Sequence, residues 1–174
     1  MHGAYGSSLS WTNPEWLRLL DEYKAVMLAP DSRSFSTWDL LEQGAYGRDV
    51  AFMDEALGVT YRQVNVVASR IAILGFSDGA TEALGLGLMN GDLFNGVVAF
   101  SPGGMFAPFA RGHTRAFVSH GTDDRVLSYT STRDGTVPAI ESLGVPVQWA
   151  PFTGGHTIPD STARAALTYA LSGR

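Results

Sequence analysis

The sequence predicts an α/β fold, a three-layer sandwich in which a mostly parallel sheet lies between two layers of helices. Short apolar runs, rich in β-branched residues, alternate with stretches of helical period, and each run ends in a turn-rich segment. That alternation is typical of parallel strands joined by helices. The chain has 174 residues, 45% of them hydrophobic, and no repeat or linker divides it. We therefore expect a single domain over residues 1–174.

The elements follow in order from helical period and apolar runs. Asn13 and Pro14 favour a helix start, and the apolar face of residues 14–23 continues that helix. Residues 25–29 form the first apolar run and predict the first strand. The third helix ends at Asn90-Gly91, a common stop signal. The remaining strands are predicted at 71–76, 96–101, 116–120 and 145–151, and the remaining helices at 49–64, 77–89, 133–143 and 161–171.

Composition excludes several classes of partner and site. The formal net charge is -5 and no basic run is present, which argues against nucleic acid or an anionic membrane surface. The chain has no cysteine, no apolar run long enough to span a bilayer, and no signal-peptide pattern at its start. Its histidines lack ligand-like spacing with carboxylates, so we expect no metal and no cofactor. A small-molecule partner and a cytoplasmic or undetermined location are the resulting expectations.

A candidate nucleophile lies in the sequence Gly75-Phe76-Ser77-Asp78-Gly79, which fits the pattern G-x-S-x-G. The motif follows a predicted buried strand and opens a predicted helix. A sharp turn there exposes the serine hydroxyl and needs small residues on both sides. The helix start also directs free N–H groups towards that hydroxyl, which suits a developing oxyanion. Ser77 is therefore the predicted nucleophile.

A serine needs a base, and the base needs an orienting carboxylate. His156 lies in a loop after the last predicted strand, where a histidine has no packing role, and is the predicted base. Asp123 and Asp124 follow the strand at 116–120, and spacing alone leaves the choice between them open. His2 and His120 each precede a glycine at a strand exit, where a structural role is favoured.

Six segments together resemble the α/β-hydrolase superfamily, and within it the phospholipase/carboxylesterase group of small serine esterases. Each segment follows a predicted strand or strand position, as it does in that family. The family pattern H-G-x-x-D-x-V implies that Asp124 is the acid, so the resemblance implies a catalytic triad of Ser77, Asp124 and His156. The segments are 2–6 (HGAYG), 27–31 (MLAPD), 75–79 (GFSDG), 99–103 (AFSPG), 119–126 (SHGTDDRV) and 154–159 (GGHTIP).

The resemblance also implies an oxyanion hole made by the backbone N–H groups of Ala4 and Asp78, with Tyr5 as the alternative to Ala4. In one respect the chain departs from the family, whose members carry further strands before the H-G pair. The last of those strands is central in the sheet, and here only Met1 represents it. The expectation is an N-terminally shortened sheet: upstream residues are missing, or the neighbouring strands pair directly, or another chain supplies a strand through a homo-oligomer.

The resemblance implies a carboxylesterase that cleaves ester bonds through an acyl-enzyme on Ser77. The loop between the strands at 96–101 and 116–120 is too short for a cap domain, so short-chain or aryl esters are the expected substrates. Two alternatives remain open: a non-catalytic binding module derived from a hydrolase, and an enzyme similar to dienelactone hydrolases or perhydrolases. Besides Tyr5, the residues that could wall a substrate pocket are Trp11, Trp38, Met105, Phe106 and Phe109.

Overall fold

A computed structural model of the chain describes residues 1–172 and confirms the predicted α/β class. Four parallel strands form one sheet in the order β1-β2-β3-β4, so each strand pairs with its neighbours in sequence. The registers place Ala72 opposite Gly96 and Ala116 opposite Val147. The strands are Ala72–Phe76 (β1), Gly96–Phe100 (β2), Arg115–Gly121 (β3) and Val147–Phe152 (β4).

The predicted helices are present, with bounds that differ from the predictions by a few residues. A short helix at Asp39–Gln43 was not predicted, because five residues are too few to establish a helical period. The α-helices are Pro14–Tyr23 (α1), Asp39–Gln43 (α2), Arg48–Gln63 (α3), Asp78–Met89 (α4), Tyr129–Ser131 (α5), Val137–Ser142 (α6) and Asp160–Leu171 (α7); a π-helical turn at Thr132–Thr136 joins α5 to α6, and 3-10 turns lie at Ser8–Trp11 and Ala68–Arg70.

Two apolar cores, one on each face of the sheet, produce the three layers. Alternate residues of a strand point to opposite faces, so Val97 belongs to the core that includes α4 and α6, while Val98 belongs to the core that includes α1 and α7. Helix α4 is almost entirely buried, because it crosses the centre of the first face. The loop from residue 101 to residue 114 contains no helix or strand, and no cap domain is inserted there.

The prediction of a strand at residues 25–29 is wrong, so the sheet has four strands rather than five. A strand needs a neighbour for its ladder hydrogen bonds, and this segment has none within residues 1–172. A groove of about 360 Å³ separates it from β1, lined by apolar side chains that include Met27, Met53 and Leu74. The two neighbours therefore do not pair directly across the position of the absent strand.

Met1 is the one residue in the described part of the chain that pairs with the open edge of β1. Its ammonium group donates to the Leu74 carbonyl at 2.6 Å, and its own carbonyl accepts from the Phe76 N–H at 3.1 Å. This pattern is that of a parallel ladder. The burial of the ammonium group lowers its pKa from 8.0 to about 5. Met1 therefore places the following loop, residues 2–6, against the end of β1.

Candidate active site

Ser77 lies between β1 and α4 in strained backbone geometry. Its φ is 56° and its ψ is -123°, a region that non-glycine residues rarely adopt, and its N–H donates to the Phe100 carbonyl at 2.9 Å. Glycine is required at both flanking positions, because neighbouring backbone atoms lie too close for a Cβ. A Cβ at Gly75 would overlap the backbone of Gly79, and a Cβ at Gly79 would overlap the carbonyl oxygen of His2. The turn therefore holds Ser77 against the start of the chain.

The structure brings Asp124 and His156 together. Nδ1–H of His156 donates to Oδ2 of Asp124 at 2.7 Å, and the Asp124 side chain is fully buried. Nε2 of His156 is consequently the ring nitrogen left without a proton. The His156 ring packs against Phe76, the residue before Ser77, with the ring centroids 4.7 Å apart. Within residues 1–172, no hydrogen bond joins the Ser77 hydroxyl to His156.

The two adjacent carboxylates that the sequence offered have different surroundings. Oδ1 of Asp124 accepts the backbone N–H groups of Val126 at 2.8 Å and Leu127 at 3.0 Å. Burial acts to raise the pKa of Asp124, but the hydrogen bonds from His156, Leu127 and Val126 outweigh it and lower that pKa below its ordinary value. Asp123 is exposed, and its N–H donates to the Gly154 carbonyl.

The loop at residues 2–6 lies beside Ser77. A Cβ at Gly3 would be 3.1 Å from the Cβ of Ser77, so the backbone of this loop approaches the serine closely. The N–H of Tyr5 donates to the Ser36 carbonyl at 2.8 Å and is not available to a ligand. Of the two oxyanion donors considered for this loop, Ala4 and Tyr5, Ala4 is the one whose N–H accords with that role.

Residues 32–38 anchor the loop at residues 2–6, a role that the sequence did not reveal. The Ser32 N–H donates to Nε2 of His2 at 3.1 Å, and the indole N–H of Trp38 donates to the His2 carbonyl at 2.9 Å. The Thr37 hydroxyl donates to the Asp78 carboxylate at 2.6 Å. His2 therefore has the structural role that was favoured for it. No sequence signal pointed to residues 32–38, because polar loop residues carry no periodic pattern.

The candidate pocket residues divide into buried and exposed sets. Trp11 and Trp38 belong to the two cores and are 3% and 0% exposed, so the expectation that they wall an open pocket is corrected. Met105 is half-buried against the first core. Tyr5, Phe106 and Phe109 are exposed, and Phe35, which the sequence did not single out, is 91% exposed and lies edge-on to the Tyr5 ring.

A sequence model of one family, described as Phospholipase/Carboxylesterase, matches residues 51–169, more than half of the chain. The chain belongs to the phospholipase/carboxylesterase family. The match includes Ser77, Asp124 and His156 and confirms the family expected from the six segments. No curated protein matches the chain in sequence.

Several solved structures share the fold of this family member. A variant of Arabidopsis thaliana SOBER1 is 18% identical with a TM-score of 0.77, over 97% of this chain and 93% of that one. The carboxylesterase of Bacillus cereus is 20% identical with a TM-score of 0.73, over 97% and 84%. The S-formylglutathione hydrolase FrmB of Staphylococcus aureus is 16% identical with a TM-score of 0.77, over 98% and 82%. The chain therefore has the fold of α/β-hydrolase esterases.

Two other kinds of site are absent from residues 1–172. None of the helices there is both long and apolar enough to cross a membrane. No three or more histidine, aspartate or glutamate side chains are grouped there as metal ligands would be.

Proposed function

We propose that this protein is a serine esterase that cleaves carboxylic esters through an acyl-enzyme on Ser77. The observation that carries the proposal is the 2.7 Å hydrogen bond from His156 to the buried Asp124 carboxylate, beside a serine in strained elbow geometry. A buried carboxylate that fixes an imidazole tautomer is what nucleophilic catalysis by serine requires. Membership of the phospholipase/carboxylesterase family supports the same reaction class.

The reaction takes place in two steps. Nε2 of His156 removes the Ser77 proton as the serine oxygen attacks the ester carbonyl, and the same nitrogen then protonates the leaving alcohol. A water molecule, activated by His156 in the same way, hydrolyses the acyl-enzyme and releases the acid. Asp124 keeps Nδ1 protonated and stabilises the imidazolium, while the N–H donors of His156, Val126 and Leu127 keep the carboxylate ionised.

The oxyanion of each tetrahedral intermediate would accept hydrogen bonds from the N–H groups of Ala4 and Asp78. The Asp78 N–H opens α4, where no carbonyl of the helix satisfies it. The Ala4 N–H belongs to the loop that approaches Ser77 through Gly3. Loss of one such donor typically lowers the rate about 100-fold to 1,000-fold.

Exposed aromatic side chains indicate the substrate class. Tyr5 and Phe35 form an edge-to-face pair beside the oxyanion loop, and Phe106 and Phe109 are exposed in the loop after β2. With no cap over the site, the acyl or alcohol group would rest on these rings, which suits short-chain and aryl esters. Thioesters are a further candidate, since one protein of the same fold is named an S-formylglutathione hydrolase.

A fluorophosphonate probe and a chain-length series of p-nitrophenyl esters test the proposal, with Ser77→Ala as the matched control. We expect labelling and hydrolysis by the native chain and neither by Ser77→Ala. We also expect kcat/KM to rise with pH, because His156 can act as the base only in its neutral form. Folded protein that is not labelled and hydrolyses no ester would instead support the non-catalytic binding module.

A further inference from the structure

A second histidine contacts the Asp124 carboxylate. His120 lies near the end of β3 and is fully buried. Its Nε2 is 3.2 Å from the Leu127 carbonyl oxygen and 3.0 Å from Oδ2 of Asp124, the same oxygen that accepts from His156. Both neighbours of Nε2 are acceptors, so Nε2 carries the proton and is the donor.

The other ring nitrogen of His120 shows that this tautomer has a cost. Nδ1 is buried and has no hydrogen-bond partner among residues 1–172. A buried polar atom without a partner is unfavourable, and an apolar side chain of similar size would fill the position without that penalty. Packing alone therefore does not account for a histidine here, whereas an Nε2–H placed between the Leu127 carbonyl oxygen and the Asp124 carboxylate does.

We propose that His120 is a positioning residue of the active site, whose Nε2–H holds Oδ2 of Asp124 and thereby lowers the proton affinity of His156. This inference rests on the esterase function proposed above. Oδ2 accepts from His156 and lies 3.0 Å from Nε2 of His120, while Oδ1 accepts two backbone N–H groups. The carboxylate is fixed in orientation, and less of its negative charge is available to stabilise a positive His156.

The groups that surround His120 are consistent with its acting as a neutral donor. Burial lowers the pKa of His120 below its ordinary value, although Leu127 and Asp124 act in the opposite direction. Tyr129, on α5, presents its ring edge-on with centroids 6.2 Å apart. Asp123 and Arg125, which flank Asp124, are both exposed. Within residues 1–172, the titratable groups close to His120 are Asp124, His156 and the Tyr129 phenol.

Two substitutions distinguish the effect of the Nε2–H donor from the effect of side-chain size. His120→Phe keeps an aromatic ring but removes the donor, and His120→Gln places an amide N–H close to the position of Nε2. The primary measurement is the NMR titration of the His156 ring, assigned by comparison with His156→Gln. We expect the titration midpoint to rise by about half a unit to one unit in His120→Phe and to stay within about 0.2 units of native in His120→Gln.

The kinetic measurement is the acid limb of kcat/KM, which should move by the same amount in the same direction. We also expect kcat/KM at its optimum to fall about tenfold in His120→Phe and to be largely restored in His120→Gln. A purely structural role would lower activity and stability without moving either midpoint. Should His120→Phe not fold, His120→Asn replaces it, because its shorter amide does not reach Oδ2.

The two proposals fail in different ways. Equal His156 midpoints in native and donor-free protein would overturn the role of His120, whether or not the chain hydrolyses esters. A shifted midpoint in a chain that neither hydrolyses esters nor reacts with the fluorophosphonate probe would overturn the esterase function and leave the contact between His120 and Asp124 supported.

Discussion

Glu82, on α4, is the residue whose substitution should change the pH dependence of folding most. Its side chain is fully buried, and neither carboxylate oxygen has a hydrogen-bond partner in the described part of the chain. Burial, with the nearby carboxylates of Asp49 and Asp39, raises the pKa of Glu82 from 4.5 to about 8. Asp49 instead accepts the N–H groups of Arg33 and Asp39. With a pKa raised to about 8, Glu82 remains mostly protonated at neutral pH.

The sign and size of the effect follow from that raised pKa. The folded state binds the Glu82 proton more tightly than the unfolded state, so the stabilisation is complete below about pH 4.5 and is lost as the pH rises towards 8. Each pH unit within that range changes the free energy of unfolding by about 1.4 kcal/mol, or roughly 4 kcal/mol between pH 5 and pH 8. Glu82→Gln removes the titration, so its stability relative to native should increase by that amount over the same range.

Urea denaturation of the native chain and Glu82→Gln at pH 5, 6, 7 and 8 measures the difference, with the exposed Glu55→Gln as control. For a chain of this size, about 4 kcal/mol corresponds to roughly 10 °C in Tm. Subtracting the native free energy of unfolding from that of Glu82→Gln at each pH cancels the contributions of other groups that titrate in this range. One is the Met1 ammonium group, whose pKa is lowered to about 5 and whose contribution has the opposite sign. If the free energies of unfolding of native and Glu82→Gln change in parallel from pH 5 to pH 8, the reasoning is refuted.

The remaining predictions concern the site itself. Asp124→Asn should lower kcat/KM about 10,000-fold, whereas Asp123→Asn should change it less than about threefold; equal losses would contradict the assignment of the acid. Thr37→Val removes the hydrogen bond to the Asp78 carboxylate and should lower kcat about tenfold with KM nearly unchanged, so a change in KM alone would count against a role in the oxyanion hole. Gly79→Ala should lower Tm by several degrees, because its Cβ would overlap backbone carbonyl oxygens; native-like thermal denaturation would contradict that close approach.

Features with a local sequence signature could be predicted. The strand, sharp turn and helix around Ser77 occupy one continuous stretch, and their glycines are required by contacts within that stretch and with the start of the chain. Helix α1 begins where Asn13 and Pro14 predict it, and the Asn13 side chain accepts the Trp16 N–H. The choice between Asp123 and Asp124 had no local signature. Only the family pattern favoured Asp124, because both carboxylates follow the same strand.

Features that depend on distant partners could not be predicted. Residues 25–29 have the composition of a strand, but a strand forms only where another backbone supplies its ladder hydrogen bonds, and a groove lies there instead. Glu82 lies within a helical pattern that shows neither its burial nor the two carboxylates near it. The contact of His120 with Asp124 depends on the turn after β3, which the sequence indicates only as a polar loop.

Contacts from residues 32–38 replace part of the hydrogen bonding that a full strand would provide to the oxyanion loop. Within residues 1–172, two ladder bonds, both through Met1, connect this end of the chain to β1. The other anchors come from residues 32–38: Trp38 binds the His2 carbonyl, Ser36 accepts the Tyr5 N–H, and Thr37 binds the Asp78 carboxylate. The same short segment thus contacts both proposed halves of the oxyanion hole. Because it touches neither Asp124 nor His156 directly, changes in this segment should weaken transition-state stabilisation while leaving the hydrogen bond between His156 and Asp124 intact.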